Sequence, residues 1–156
     1  MVALQNYAVI VAHPDDEILF SSGLLKSAKK IIICFQGVPN NKELSESRKR
    51  LVGLYPLKNV IFLNIEQGRK TKEKVNWKNP TYTKFGIRGK RNEEELNFKF
   101  NEIAINLKKY LKDIDEVFTH NPWGDYGHVD HILIFNTVKH INKKLKFKIN
   151  VFGVFS

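Results

Sequence analysis

The chain has 156 residues, 42% hydrophobic and 27% charged, which fits one soluble globular domain over residues 1–156 with length enough for a core. No apolar run approaches the roughly 20 residues that span a bilayer. The start lacks a signal peptide's basic region, apolar stretch and small-residue cleavage site, and the single cysteine, Cys34, excludes a disulfide within one chain, so the expectation is a cytoplasmic protein.

The formal net charge of +10 favours acidic partners such as nucleotide sugars, polyanionic glycans, nucleic acid or anionic lipid. The basic residues are spread over the whole length, however, and no arm or stripe concentrates them. Lysines solvating an ordinary surface account for the same charge. The partner expected is a small-molecule or glycan substrate, which the charge allows to be anionic, with no specific nucleic acid.

In chain order, residues 7–13 read as a strand that is apolar nearly throughout, as in a strand buried on both faces. A helix is predicted from Asp15, with Ile18, Leu19, Leu25 and Ala28 near a helical period and acidic residues in the first turn. Residues 30–36 read as a second strand, Val38 to Lys42 as a loop, and 43–54 as a helix with Leu44, Leu51 and Leu54 on its apolar face. Asn59 to Ile65 reads as a third strand. Residues 66–92 form a long polar stretch with Trp77, Tyr82 and Phe85, too long for an ordinary connection and read as an ordered loop. Glu93 to Lys112 carries a helical stripe of Leu96, Phe100, Ile103, Leu107 and Leu111. A fourth strand over Glu116 to His120, a helix over Asp130 to Lys144 and a last strand over Lys148 to Phe155 complete the series.

Strands alternating with helices imply an α/β fold: a Rossmann-like three-layer sandwich with a mostly parallel sheet of five strands or slightly more. In such folds ligands sit beyond the carboxyl ends of the strands, where strand order reverses. With order 3-2-1-4-5, that crevice lies between strands one and four.

Both ends of that crevice carry chemistry. After strand one comes Ala12-His13-Pro14-Asp15-Asp16-Glu17, with a histidine and three carboxylates in five consecutive residues. Carboxylates so close repel one another, and a bound cation is the simplest offset. After strand four comes Asp125-Tyr126-Gly127-His128-Val129-Asp130-His131. His13, Asp16 and His131 can make a three-ligand set of two imidazoles and one carboxylate, a known catalytic zinc arrangement; the same donors admit iron or cobalt. Asp15 is the candidate general base. His128 is the candidate acid or oxyanion stabiliser as an imidazolium, with Asp130 orienting it and Tyr126 adding a hydrogen bond. Taken alone, Asp15 or Asp16 reads as a helix N-cap and His120 as a structural hydrogen-bonding group.

These residues resemble the LmbE-like, or PIG-L, deacetylase family, whose hallmarks are Ala-His-Pro-Asp-Asp-Glu after the first strand and Gly-His-x-Asp-His in the second half, here residues 12–17 and 127–131. The run from Thr119 to His128 is also similar to the family's second-motif region. The resemblance implies a zinc-dependent hydrolase that removes an acetyl group from an N-acetylglucosamine unit or similar amide. By motif, His13, Asp16 and His131 would bind zinc, Asp15 would be the base, and His128 the acid or oxyanion stabiliser with Tyr126 assisting. It also implies a substrate-contacting arginine after strand two, for which Arg48 is the candidate and Arg50 the next. Where relatives often carry Glu three residues after that arginine, this chain has Leu51; where many carry Asp after strand three, it has Glu66. The chain stops at Ser156, short for the family. Two other readings stand beside this one: an amidase on a non-sugar amide, and a metal-bound, catalytically weak module that holds polyanions or glycans.

Overall fold

A computed structural model describes residues 6–69, 76, 78–87 and 92–153. Trp77, residues 70–75 of the long polar stretch and the predicted end of the last strand at Phe155 lie outside the described residues. The elements in chain order are β1 (Tyr7–Val11), α1 (Asp16–Ser21), β2 (Lys30–Gly37), α2 (Lys42–Leu54), β3 (Val60–Glu66), β4 (Tyr82–Thr83), β5 (Gly86–Ile87), α3 (Glu93–Tyr110), β6 (Glu116–Thr119), α4 (Gly124–Gly127), α5 (Val129–Leu145) and β7 (Lys148–Val151).

The main sheet has order β3-β2-β1-β6-β7, and every pairing in it is parallel. β1 therefore sits at the centre and is buried along its whole length. Its alternation divides the core in two. Ala8, Ile10 and Ala12 face Ile103, Leu107, Leu133 and Val138 of α3 and α5, whereas Tyr7, Val9 and Val11 share the opposite layer with Leu25, Ala28 and Phe152. Strand order reverses at β1, so β1 and β6 open the crevice at their carboxyl ends.

α3 begins at Asn92, whose side chain accepts the Glu95 N–H, and carries three glutamates in its first turn and two lysines in its last. That arrangement fills an orphan donor and matches the helix dipole. The predicted stripe of Leu96, Ile103, Leu107 and Leu111 is buried.

Three local expectations are corrected. The helix after the first motif is only six residues long and continues as a 3-10 turn over Ser22–Leu24. Its buried residues are Asp16, Glu17 and Ser21, while Ile18 and Leu19 are 58% and 63% exposed. The carboxylates face inward because partners await them there, so the apolar period misjudges which face is buried. α2 buries none of its residues, and Leu54 is 79% exposed. The long 66–92 stretch contains an antiparallel hairpin, β4–β5, whose tip carries Phe85 into the core at 1% exposure. No helix among the described residues is long and apolar enough to cross a membrane.

Candidate active site

β1 ends at Val11 and the chain turns through Pro14 before α1. Asp15 occupies φ 115, ψ −33, deep in the positive-φ range that favours glycine, whereas the other described non-glycine residues of positive φ lie at 56 to 65°. Such conformations cost about 1–3 kcal/mol and persist where the surroundings over-determine them. Two hydrogen bonds wind this turn. Asp16 Oδ2 accepts the His13 N–H at 2.8 Å, and Glu17 Oε2 accepts the Asp15 N–H at 3.0 Å. Asp16 is thereby fixed inside the crevice at 3% exposure, with Asp15 at its mouth.

The second motif arrives from the end of β6. Gly124 at φ 77 packs its α-carbon against Ile132, where a side chain would collide, since an added Cβ would meet Cγ1 at 2.8 Å. His128 caps α5 by accepting the Asp130 N–H on Nδ1 at 3.2 Å. An accepting Nδ1 leaves Nε2 as the ring nitrogen that carries a proton. Asp130, expected to orient His128, meets it through this backbone N–H. The Asp130 carboxylate reaches His13, with Oδ2 3.1 Å from Nε2, and also accepts from the Gln67 amide at 3.0 Å.

The two motifs therefore converge. Asp16 Oδ2 lies 3.2 Å from His13 Nδ1 and 3.4 Å from His131 Nε2. His13, His128 and His131 each bring a nitrogen within 4.8 Å of the others, and so do the donor atoms of Asp16, His120 and His131. His120 is otherwise engaged: Nε2 accepts the Ala12 N–H at 3.0 Å and Nδ1 meets Asp125 Oδ2 at 2.6 Å. It ties the end of β1 to the end of β6, the structural part expected of it. His131 differs, because Nδ1 meets the same Asp125 oxygen at 2.8 Å while the buried Nε2 has no hydrogen-bond partner. A buried nitrogen without a partner, facing a carboxylate, is what a divalent cation with nitrogen and oxygen ligands requires. His13, Asp16 and His131 are the residues that could hold it, with His128 beside them.

The charges behave as a partly neutralised cluster. Burial would raise Asp16, but contacts with His120, His13 and His131 outweigh it and hold its carboxyl far below the usual range. Burial likewise opposes ionisation of Asp125, yet His120 and His131 bring it down to about 2. For His131, burial disfavours the charge, but Asp125 and Asp16 push the pKa up to about 9. His13 is raised against its burial by hydrogen bonds to Asp130 and Asp16. Each imidazole proton stands where a cation would do the same neutralising work. Asp15 is raised by partial desolvation and by Asp16, against the pull of His13 and Arg48. A carboxylate raised in this way is a better proton acceptor.

Arg48 on α2 lies in the field of Asp15, Asp16 and Asp130, with Nη1 buried and lacking a hydrogen-bond partner. Arg50, the next candidate, is exposed. Glu66 is exposed at the end of β3 and lines an open cavity of about 480 Å³ with Lys42, Lys49 and Arg69. None of the site histidines lines that cavity; Gln67, one residue on, enters the cluster. Tyr126 is 70% exposed, with its ring 5.8 Å from that of His128 and 5.3 Å from that of His131. The sequence places Asp125 in the second cluster without a role and gives no sign of Gln67. Asp125 sits in the second motif, six residues from His131 and five from His120, and that spacing was the available signal.

Solved structures that share this fold include three deacetylases. A deacetylase from the teicoplanin biosynthesis pathway, in complex with bog, is 15% identical at a TM-score of 0.59, covering 92% of this chain and 64% of its own. The zinc-inhibited form of a teicoplanin deacetylase is 14% identical at 0.61, covering 92% and 65%. The deacetylase of the A40926 pseudoaglycone is 14% identical at 0.52, covering 93% and 62%. The chain thus spans less than two thirds of the length of these neighbours. No curated protein sequence matches it. The family described as GlcNAc-PI de-N-acetylase matches residues 8–142, which takes in both motifs and the sheet between them, and the chain belongs to this PIG-L family.

Proposed function

We propose that the protein is a divalent-metal-dependent N-deacetylase acting on an amino-sugar substrate. The observation that carries this is the His131 Nε2 atom, buried, without a hydrogen-bond partner and 3.4 Å from Asp16 Oδ2, with His13 Nδ1 3.2 Å from the same oxygen. A zinc or similar ion held by His13, Asp16 and His131 would supply Lewis-acid polarisation of the acetamide carbonyl and acidify a water. The family description and the names of the neighbours support an acetylated amino sugar as the substrate class.

Within that reaction, Asp15 takes a proton from the attacking water. Asp15 neighbours the ligand Asp16 without being committed to the buried cluster, and its raised pKa suits a base. His128, with a proton on Nε2, donates a hydrogen bond to the developing oxyanion, and the proton that Asp15 has taken from the water passes to the departing amine. Asp130 acts on the ligand set by accepting from His13 Nε2, which aims Nδ1 at Asp16. Tyr126 supplies a further hydroxyl at the rim. Arg48 offers its unpartnered Nη1 to a substrate oxygen, and Glu66 with Arg69 faces the outer part of a larger substrate.

The test couples metal analysis to an acetate-release screen over N-acetylated sugars, nucleotide sugars and glycolipids. Asp15→Ala is expected to keep its metal and lose about 10²–10⁴-fold in kcat. A normal rate in that variant refutes the assigned base. Metal-loaded protein releasing acetate from no amide, yet binding polyanions in a salt-sensitive way, refutes the enzymatic assignment.

A further inference from the structure

Glu17 is an ionisable residue that the reaction above does not use, yet it is 1% exposed. A buried carboxylate is tolerated only when its oxygens are hydrogen-bonded. Both are. Oε2 accepts the N–H of Asp15 at 3.0 Å, and Oε1 accepts the Tyr55 hydroxyl at 2.5 Å. The first donor belongs to a non-glycine residue held at φ 115, a conformation that side chains disfavour. The second comes from 38 residues along the chain, at the end of α2, where the Tyr55 ring stands edge-on to Phe62 with centroids 5.7 Å apart. Tyr55 thereby ties a turn in an unfavourable conformation to the neighbouring elements.

The turn needs such a tie. Relaxing Asp15 to an ordinary φ would turn its side chain and carbonyl about the N–Cα bond relative to its N–H. Fixing the peptide groups on both sides of the α-carbon therefore fixes the direction in which the side chain leaves it, and Glu17 holds the first of them. The Asp15 carbonyl is held as well, accepting the N–H groups of Ile18 and Leu19 at 3.0 Å each. A neutral side chain of similar size at position 17 would fill the same space, but it would not supply two accepting oxygens to two such donors.

We propose that Glu17 and Tyr55 are positioning residues that clamp the strained backbone of Asp15 and aim its carboxylate at the reacting water. This rests on the assignment of Asp15 as the base, and the test separates the two claims. The full chain, loaded with zinc, is assayed for acetate release from an N-acetylglucosamine-containing substrate, and hydrogen exchange of the Asp15 amide is followed by NMR. Tyr55→Phe removes one hydroxyl. It is expected to lower kcat roughly tenfold, since small misplacements of catalytic groups cost one to two orders of magnitude, with KM, metal content and the far-UV spectrum unchanged. Exchange of the Asp15 amide should rise by at least about tenfold as the clamp loosens. In an Asp15→Ala background, Tyr55→Phe should leave the residual rate unchanged, because its effect runs through Asp15. Glu17→Gln retains one accepting oxygen and should fall between wild type and Glu17→Leu. Wild-type kcat and exchange in Tyr55→Phe, or the same fractional loss in both backgrounds, overturns the clamp. Full activity in Asp15→Ala overturns the base assignment instead, whatever Tyr55→Phe does to exchange.

Discussion

Replacing Asp125 by Ala would test how the site holds its ligand nitrogens. One oxygen, Asp125 Oδ2, meets His120 Nδ1 at 2.6 Å and His131 Nδ1 at 2.8 Å, distances typical of charge-assisted hydrogen bonds. These bonds keep both Nδ1 atoms protonated, so that His120 Nε2 can accept from Ala12 and His131 Nε2 is the nitrogen turned toward Asp16, where a bound cation would displace its proton. The truncation leaves two imidazole N–H groups without acceptors, each costing about 1–3 kcal/mol when buried. The Asp125 side chain is only 5% exposed and both imidazoles are fully buried, so the expected loss of stability is about 2–6 kcal/mol for the pair. Orienting partners of metal-bound histidines are worth roughly 10–100-fold in metal affinity, about 1.4–2.8 kcal/mol. Asp125→Asn keeps an accepting oxygen and loses the charge, so its zinc affinity should lie between that of Ala and that of wild type. Competition for zinc against a chromophoric chelator measures this without reference to turnover, and thermal melting scores the fold alongside. A folded Asp125→Ala protein that binds zinc as tightly as wild type refutes the reasoning.

Two further outcomes are expected. Arg48→Gln removes a half-buried guanidinium whose positive charge lowers the Asp15 pKa. KM should rise about tenfold for loss of one charged hydrogen bond, and the acid limb of the kcat–pH profile should move to higher pH; an unmoved limb would separate Arg48 from Asp15. Gly124→Ala forces a Cβ to within 2.8 Å of Ile132 at φ 77, and should cost about 1–3 kcal/mol in unfolding free energy, read as a lower urea midpoint at constant slope. An unchanged midpoint would mean that the turn leading into Asp125 relaxes freely.

Much of the site was legible because local spacing carries it. His13 and Asp16 lie three residues apart across a strand end, and His128 and His131 three apart at a helix start; both spacings turn side chains toward one region once the backbone type is known. Alternation of strands and helices predicted a parallel sheet, and reversal of strand order at β1 brought the two motifs together. The α1 face and the apolar face of α2 differ from expectation: Ile18, Leu19 and Leu54 follow helical periods yet are exposed, because a period marks a stripe and does not say that the stripe meets the core.

The sequence by itself determined the fold class and the two motifs whose residues make up the candidate ligand set and acid–base pair, because those depend on hydrophobic period and on short-range spacing. Tertiary structure alone decided who orients whom. The Asp130 carboxylate turns to His13, 117 residues away, Gln67 reaches Asp130 across 63, and Tyr55 meets Glu17 across 38. Such pairs leave no period in the chain. They form where packing brings a buried donor to a buried acceptor and neither can stay unpaired, and in this protein those pairings aim the carboxylates crowded behind the first strand.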